Sequence, residues 1–415
     1  MKTKDLIADL ATQTERPDFT PTRAAGLARL AAFADRSGDL YGRCRNYDLG
    51  AAHRANVSAL SPWIRHRLIT EQEVLDITLR THGFEKAESF VHEVFWRTYF
   101  KGWLEHHPTV WPAYQAGLRR QLKSVGKDRR LAAQYAQACA GETGIACFDA
   151  WAEELVTTGY LHNHARMWFA SIWIFTLKLP WELGADFFLR HLMDGDPASN
   201  TLAWRWVAGI QTKGRPYIAR VSNISKFTHG RFCPTHQLLT NVEAIEDPAE
   251  HLRKPLPAAV GDVPKDFLLL VTEEDMQIAD ALPHAPIATI GALTIEGRSP
   301  LGLGEVAHNF ATKAMRDACG DNPIIGHNRW AEGIIEACAA HNTKIVVTGY
   351  ATVGPVATAL NNAQGDLDAA GIRLIPVRRD FDTLAWPHAT KGFFAMKKAV
   401  PKVLVSLGFS LEREC

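Results

Sequence analysis

Apolar residues recur at three- and four-residue spacing along 23–40, 71–81, 86–106, 129–140, 148–157, 160–178 and 182–193. That spacing is the signature of one buried helix face. No convincing strand pattern precedes residue 260, so the first part of the chain reads as all-helical. The pattern then changes. Short apolar blocks at 267–271 (FLLLV), 287–290 (IATI), 344–348 (KIVVT) and 372–377 (IRLIPV) alternate with helical patterns at 305–318, 327–341 and 355–370. Buried strands alternating with helices predict a parallel sheet in a small α/β domain. A Pro-rich stretch between the two parts, 247–264 (DPAEHLRKPLPAAVGDVP), has a linker's composition. The expected organisation is a helical domain over 20–240, a linker over 241–264 and an α/β domain over 265–405.

Length agrees with that division, since 415 residues suit two or three domains at roughly 150 residues each. Hydrophobic residues make up 47% and charged residues 22%, which excludes a disordered chain. No apolar run approaches the ~20 residues of a membrane span, and the N-terminus lacks a secretory apolar core. The seven cysteines are scattered and form no CxxC pair, so neither a zinc ribbon nor a disulfide framework is indicated. A cytoplasmic protein without membrane contact is expected, with no metal site. A monomer is also expected.

The net charge of +1 is neutral on nucleic acid, but its distribution is not. Residues 201–233 hold Arg205, Lys213, Arg215, Arg220, Lys226 and Arg231 and no acid. A second basic cluster runs from Arg119 to Arg130, interrupted only by Asp128. Either could neutralise phosphates, and either could be a solvated face. The segment GYATVG (349–354) follows a strand and precedes a helix, but it is neither GxGxxG nor a phosphate loop.

Three clusters set polar groups on apolar helices. In FVHEVFWRTYF, Glu93, Trp96 and Arg97 share a face at i, i+3 and i+4. In TGYLHNHARM, Asn163, Arg166 and Met167 do the same, while His162 and His164, two apart, diverge and make a poor metal pair. In DGDPASNTLAWRW, Asp196 and Pro197 read as a capped helix start, with Asn200 and Trp204 one turn apart.

In order, YxxxR (41–45), SALSPW (58–63), EVFWR (93–97), GETG (141–144), TGYLHNHARM (158–167), DGDPASN (194–200) and WRW (204–206) resemble the FAD-binding helical domain of the photolyase/cryptochrome family. The match covers roughly residues 23–235, and it is the ordered series that makes it specific. The implied fold is multi-domain: an all-α photolyase-type FAD-binding domain followed by a small α/β, Rossmann-like domain. That domain order is atypical for the family. The stretch 366–401 loosely resembles the end of the family's α/β antenna domain. Whether residues 265–405 hold a second, antenna chromophore is left open.

The resemblance implies roles residue by residue. Tyr41, Ser58, Leu60 and Ser61 would hold the FAD phosphates, and Arg97 and Arg166 would add cationic contacts. Asp194 and Asp196 would meet the ribityl, adenosine or isoalloxazine polar edge. Asn163 belongs to the cofactor and substrate sets alike. Asn200 would face the flavin N5. Trp204 and Trp181 would begin an electron-transfer chain. Its third tryptophan, expected near 127–128, is absent, leaving Tyr135, Trp168 or Trp173 as candidates. Glu93 would hydrogen-bond a pyrimidine dimer, Trp96 and Trp206 would wall it, and Asn163 and Met167 would floor it. Arg45 would contact the DNA backbone. His164 stands where the family has arginine, and Thr201, Leu202 and Ala203 replace its common Asn-Gly-Gly. The implied activity is that of a deoxyribodipyrimidine photo-lyase: light-driven electron transfer from reduced FAD to cyclobutane pyrimidine dimers in DNA, single-stranded DNA included. The alternative is a cryptochrome-like blue-light photoreceptor or DNA-binding flavoprotein without repair.

Overall fold

The computed structural model describes residues 2–258 and 262–413. Linker residues 259–261 and Cys415 therefore lie outside the described residues. The helical part contains α1 (Thr3–Thr12), α2 (Arg23–Phe33), α3 (Asp39–Cys44), α4 (Ser61–Arg65), α5 (Glu71–His106), α6 (Val110–Val125), α7 (Arg129–Ala140) and α8 (Ala146–Thr158). It continues with α9 (Asn163–Ser171), which runs into a π turn at Ile172–Thr176, then α10 (Trp181–His191), α11 (Pro197–Val207) and α12 (Val221–Phe227). The described residues between 228 and 267 form no helix or strand.

The longest helix, α5, has explicit start and kink signals. The Thr70 hydroxyl accepts from the Glu73 N–H, and the Glu73 carboxylate accepts from the Thr70 N–H, closing a capping box. At Gly83 the backbone leaves the helix (φ +69°, ψ 166°), a conformation that a side chain disfavours. A Cβ there would also sit 3.0 Å from the Arg413 amide nitrogen, where the end of the chain docks. The two amphipathic stretches expected at 71–81 and 86–106 are thus one element with a glycine kink.

The second part contains β1 (Leu268–Thr272), β2 (Ala288–Ala292), α13 (Glu305–Cys319), β3 (Ile324–Ile325), α14 (Trp330–Ala340), β4 (Ile345–Gly349), α15 (Pro355–Ala369) and β5 (Arg373–Val377). It ends with α16 (Asp380–Ala385), α17 (Phe393–Lys397) and α18 (Val400–Ser406). The five strands form one parallel sheet in the order β3-β2-β1-β4-β5. Strand alternation divides β1 between two cores. Leu268 and Leu270 pack with α14 and α15, while Leu269 and Val271 pack on the other face.

That other face is shared. Leu269, Val271, Val347 and Ile375 belong to the same hydrophobic cluster as Val91, Phe95 and Tyr99 of α5. The two parts therefore meet through a common core. A second core around Trp151, Trp168, Trp173 and Trp204 takes all its buried members from the helical part, with Val353 of the second part packed against it.

Charge also crosses the boundary. Arg67 is bidentate to Asp382 at 2.8 Å and reaches Asp275 at 3.3 Å. Arg379 grips Asp275 at 2.6 and 2.8 Å. Arg65 meets Glu274 at 2.8 Å, and Lys101 meets the same carboxylate at 2.7 Å. Glu105 accepts from the Tyr350 hydroxyl at 2.6 Å and the Val353 N–H at 2.7 Å. All of these side chains are buried apart from Tyr350, which is half-buried. Buried charges of this kind persist only when paired.

Candidate cofactor and substrate site

The segment 57–61 turns sharply into α4. Ala59 takes a positive φ (+54°) and Leu60 a right-handed helical one. Alternating hands turn successive N–H groups toward one concave side, where an anion can bind. α3 brings Tyr41, α5 brings Glu93 and Arg97, and α9 with the loop before it brings Leu161 to Arg166. Together with Asp194 they enclose a cavity of about 220 Å³.

Eleven sequence-selected residues line this cavity: Tyr41, Arg45, Ser58, Leu60, Ser61, Glu93, Arg97, Asn163, His164, Arg166 and Asp194. They are already paired with one another or with the walls. Arg166 holds Asp194 bidentately at 3.0 and 2.8 Å. Arg45 pairs with Glu93 at the mouth. Arg97 pairs with the buried Glu71 and donates to the Arg65 carbonyl at 3.1 Å.

Electrostatics set the protonation states. Burial pushes the Glu93 carboxyl up, against the pull of Arg45. Burial likewise raises the Tyr41 phenol, with the Glu93 charge adding to it. The His162 ring is brought down to about 3 by burial, so it is neutral. Its Nδ1 accepts from the His164 N–H at 3.1 Å, which leaves Nε2–H to donate to the Arg45 carbonyl at 3.0 Å. His164 falls to about 4, through burial first and then Arg45. His164 therefore offers the cavity no positive charge.

The other selected residues lie elsewhere. Asp196 caps α11 through the Ser199 N–H at 2.7 Å and meets Lys101 at 3.0 Å. Burial alone would raise its carboxyl, but Lys101 and Arg65 outweigh that and hold it far below the usual range. Asn200, 8% exposed, donates to the Ala185 carbonyl at 2.8 Å. Neither lines the cavity.

Trp204 is buried against Phe188 (5.1 Å between centroids) and Trp173 (6.2 Å). A Cβ at Gly184 would collide with its ring, so the close approach requires glycine. Trp173 in turn lies 6.1 Å from Tyr135, whereas Trp181 packs on Tyr114 at 5.6 Å. Trp206 stacks on Tyr217, and Met167 is half-buried outside the cavity lining. Trp96 stacks face to face on Phe393 of α17, at 3.8 Å and 15°.

Sequence reasoning passed over Tyr160 and Ala59, which also line the cavity. Tyr160 additionally walls a neighbouring cavity of about 180 Å³ with Arg16, Phe19 and Arg54. Among the described residues, no group of three or more His, Cys, Asp or Glu could hold a metal ion, and no helix is long and apolar enough to cross a membrane.

Residues 90–235 match the family described as the FAD binding domain of DNA photolyase. The chain is 31% identical over 258 residues to a deoxyribodipyrimidine photo-lyase of Salmonella typhimurium, covering 59% of this chain and 48% of that one. It is 28% identical over 203 residues to the enzyme of the same name from Synechococcus sp., covering 47% and 40%. A crystal structure of a bacterial class III photolyase from Agrobacterium tumefaciens is 28% identical over 51% of this chain and 43% of that chain, with a TM-score of 0.42. The matches span less than half the length of each of these relatives.

The residues present fit the polar part of FAD. Two guanidinium groups, the Ser58, Ser61 and Tyr41 hydroxyls and the anion-binding turn at 59–60 face one cavity, which is the donor set a diphosphate needs. At about 220 Å³ the cavity lies below the roughly 300–1,000 Å³ of ligand pockets, and Asn200 is not on its wall. The cradle matches the phosphate and sugar end. Over residues 90–235 the helical part is similar to the FAD binding domain of DNA photolyase, and the relatives it matches are photolyases.

Proposed function

We propose that the protein is a FAD-dependent photolyase-like enzyme acting on cyclobutane pyrimidine dimers in DNA. The observation that carries this reading is the convergence of the Arg45–Glu93 pair and the Arg97, Arg166–Asp194 cradle on one cavity. The bound, reduced flavin would supply an electron under blue light. Arg97, Arg166, Tyr41, Ser58 and Ser61 would hold its phosphates, with the Leu60 backbone completing the turn. Arg45 sits at the mouth, where a DNA phosphate can draw it from Glu93. Burial already outweighs Arg45 in raising the Glu93 carboxyl, and engaging Arg45 elsewhere would add to that push. In its protonated form, which burial favours, Glu93 would donate a hydrogen bond to a pyrimidine carbonyl as negative charge develops there. Asn163, exposed and lining the same cavity, would meet a base edge.

The test is repair of a dimer-bearing oligonucleotide under blue light. The wild type restores the pyrimidines, and Glu93→Ala slows the restoration by about 100-fold. Intact dimers after illumination of flavin-loaded wild type would contradict the proposal. They would favour the second reading, a flavoprotein photoreceptor or DNA binder without repair. Two observations support that second reading: Phe393 covers Trp96, and the Asn200 amide is turned to Ala185.

A further inference from the structure

Residues 391–402 (KGFFAMKKAVPK) carry four lysines and no acid. They form almost one continuous helix, because Lys398 and Ala399 between α17 and α18 both keep helical backbone angles. One face is buried through Phe393, Met396, Val400 and Val403. The opposite face begins with Phe394, 80% exposed and the most exposed large hydrophobic residue among those described. Lys398 and Lys402 follow at four-residue spacing, which puts them on the same side, and both are exposed, as is Lys391. Lys397 on the flank neutralises the nearby carboxylate, Glu88, at 3.3 Å.

Packing explains Phe393, whose ring covers Trp96 of α5 one turn from Glu93. It does not explain Phe394. A base that would stack on Trp96 finds that face taken, while the adjacent residue presents a bare aromatic ring among cations.

We infer that this face is a stacking platform for single-stranded nucleic acid, with Phe394 against a base and Lys391, Lys398 and Lys402 against phosphates. The inference rests on the reading that the chain handles DNA, and it adds a contact outside the helical part. An exposed aromatic ring bordered by cations is the chemistry that binds single strands without sequence preference.

The test is anisotropy of a fluorescent oligothymidine with the full chain, titrated at several salt concentrations. Phe394→Ala should weaken binding about 5- to 100-fold with the salt slope unchanged. Lys398→Gln with Lys402→Gln should lower the slope by about 1.4, from about 0.7 per phosphate contact. All three residues are exposed, so unchanged melting temperatures certify the fold. Wild-type affinity in both variants, or no binding by the wild type, overturns the inference. So does loss on Phe394→Ala of binding to phosphatidylserine–phosphatidylcholine vesicles with DNA affinity intact, which would make the face a lipid contact. Phe394-dependent binding without dimer repair would leave this surface standing and remove the repair reading. Repair with Phe394-independent binding would do the reverse.

Discussion

Around the 57–61 turn, arginines and hydroxyls face a cavity of about 220 Å³. At the carboxyl edge of the sheet, the crevice between β1 and β4 is where strand order reverses, which is where open parallel sheets usually bind ligands. Here that crevice holds Lys101, Arg65 and Glu105 from the helical part, locked onto Glu274, Thr352 and Val353. Both places combine arginines with carboxylates. In one, the charges are partly exposed around a space. In the other, they are buried and satisfy each other. The same residue types thus build a receptor in one region and a seam in the other, and only the surrounding volume separates the two.

The seam should break most severely. Arg67→Ala would strip the buried Asp382 of its ion-pair partner, while Asp275 keeps Arg379 and Glu71 keeps Arg97. We expect a loss of about 3–5 kcal/mol in urea unfolding. A change within about 1 kcal/mol would mean that the seam is hydrated and the two parts are only loosely joined. On the cavity side, His162 gives a pH signature. The unfolded ring takes up a proton near pH 6.5, and the folded one only near about 3. Between those values the unfolded chain binds more protons, so stability falls as pH drops, by about 2 kcal/mol from pH 7 to pH 5. His162→Gln should remove that share of the slope and leave the shares of His66, His164 and His191; an unaltered slope would show that the His162 ring is not buried neutral. The smallest effect concerns the element serving both places. α5 carries Glu93 and Arg97 to the cavity and Lys101 and Glu105 to the seam. Thr70→Ala removes its cap and should cost about 1 kcal/mol, without changing flavin content.

Much of this division was legible in the chain. The four apolar blocks became β1, β2, β4 and β5 with ends shifted by one or two residues, because buried parallel strands write themselves as short apolar runs. The two-residue β3 was missed, since Ile324–Ile325 is too short to form a pattern. Helices α1, α6, α12, α16, α17 and α18 were missed as well. α6 buries Trp111, Tyr114 and Leu118 but begins with aromatic and β-branched residues and a proline. In the site, motif order picked out eleven cavity residues, some on one helical face (Glu93 and Arg97 of α5, Asn163 and Arg166 of α9) and others in the turns at 58–60 and 194. Asp196 and Trp96 were harder. Asp196 is drawn off by Lys101, and Trp96 is covered by Phe393, which lies 297 positions further along the chain. Contacts between parts so distant in sequence leave no local signal.

The account depends most directly on the motif cavity holding flavin. The measurement is the visible absorption spectrum and FAD stoichiometry of the purified full chain, beside Arg166→Met. That substitution removes the partner of Asp194 and one cation from the cradle. The account predicts flavin bands at about one FAD per wild-type chain, and their loss in a variant that remains folded. A folded wild type that is colourless and refuses added FAD would contradict it.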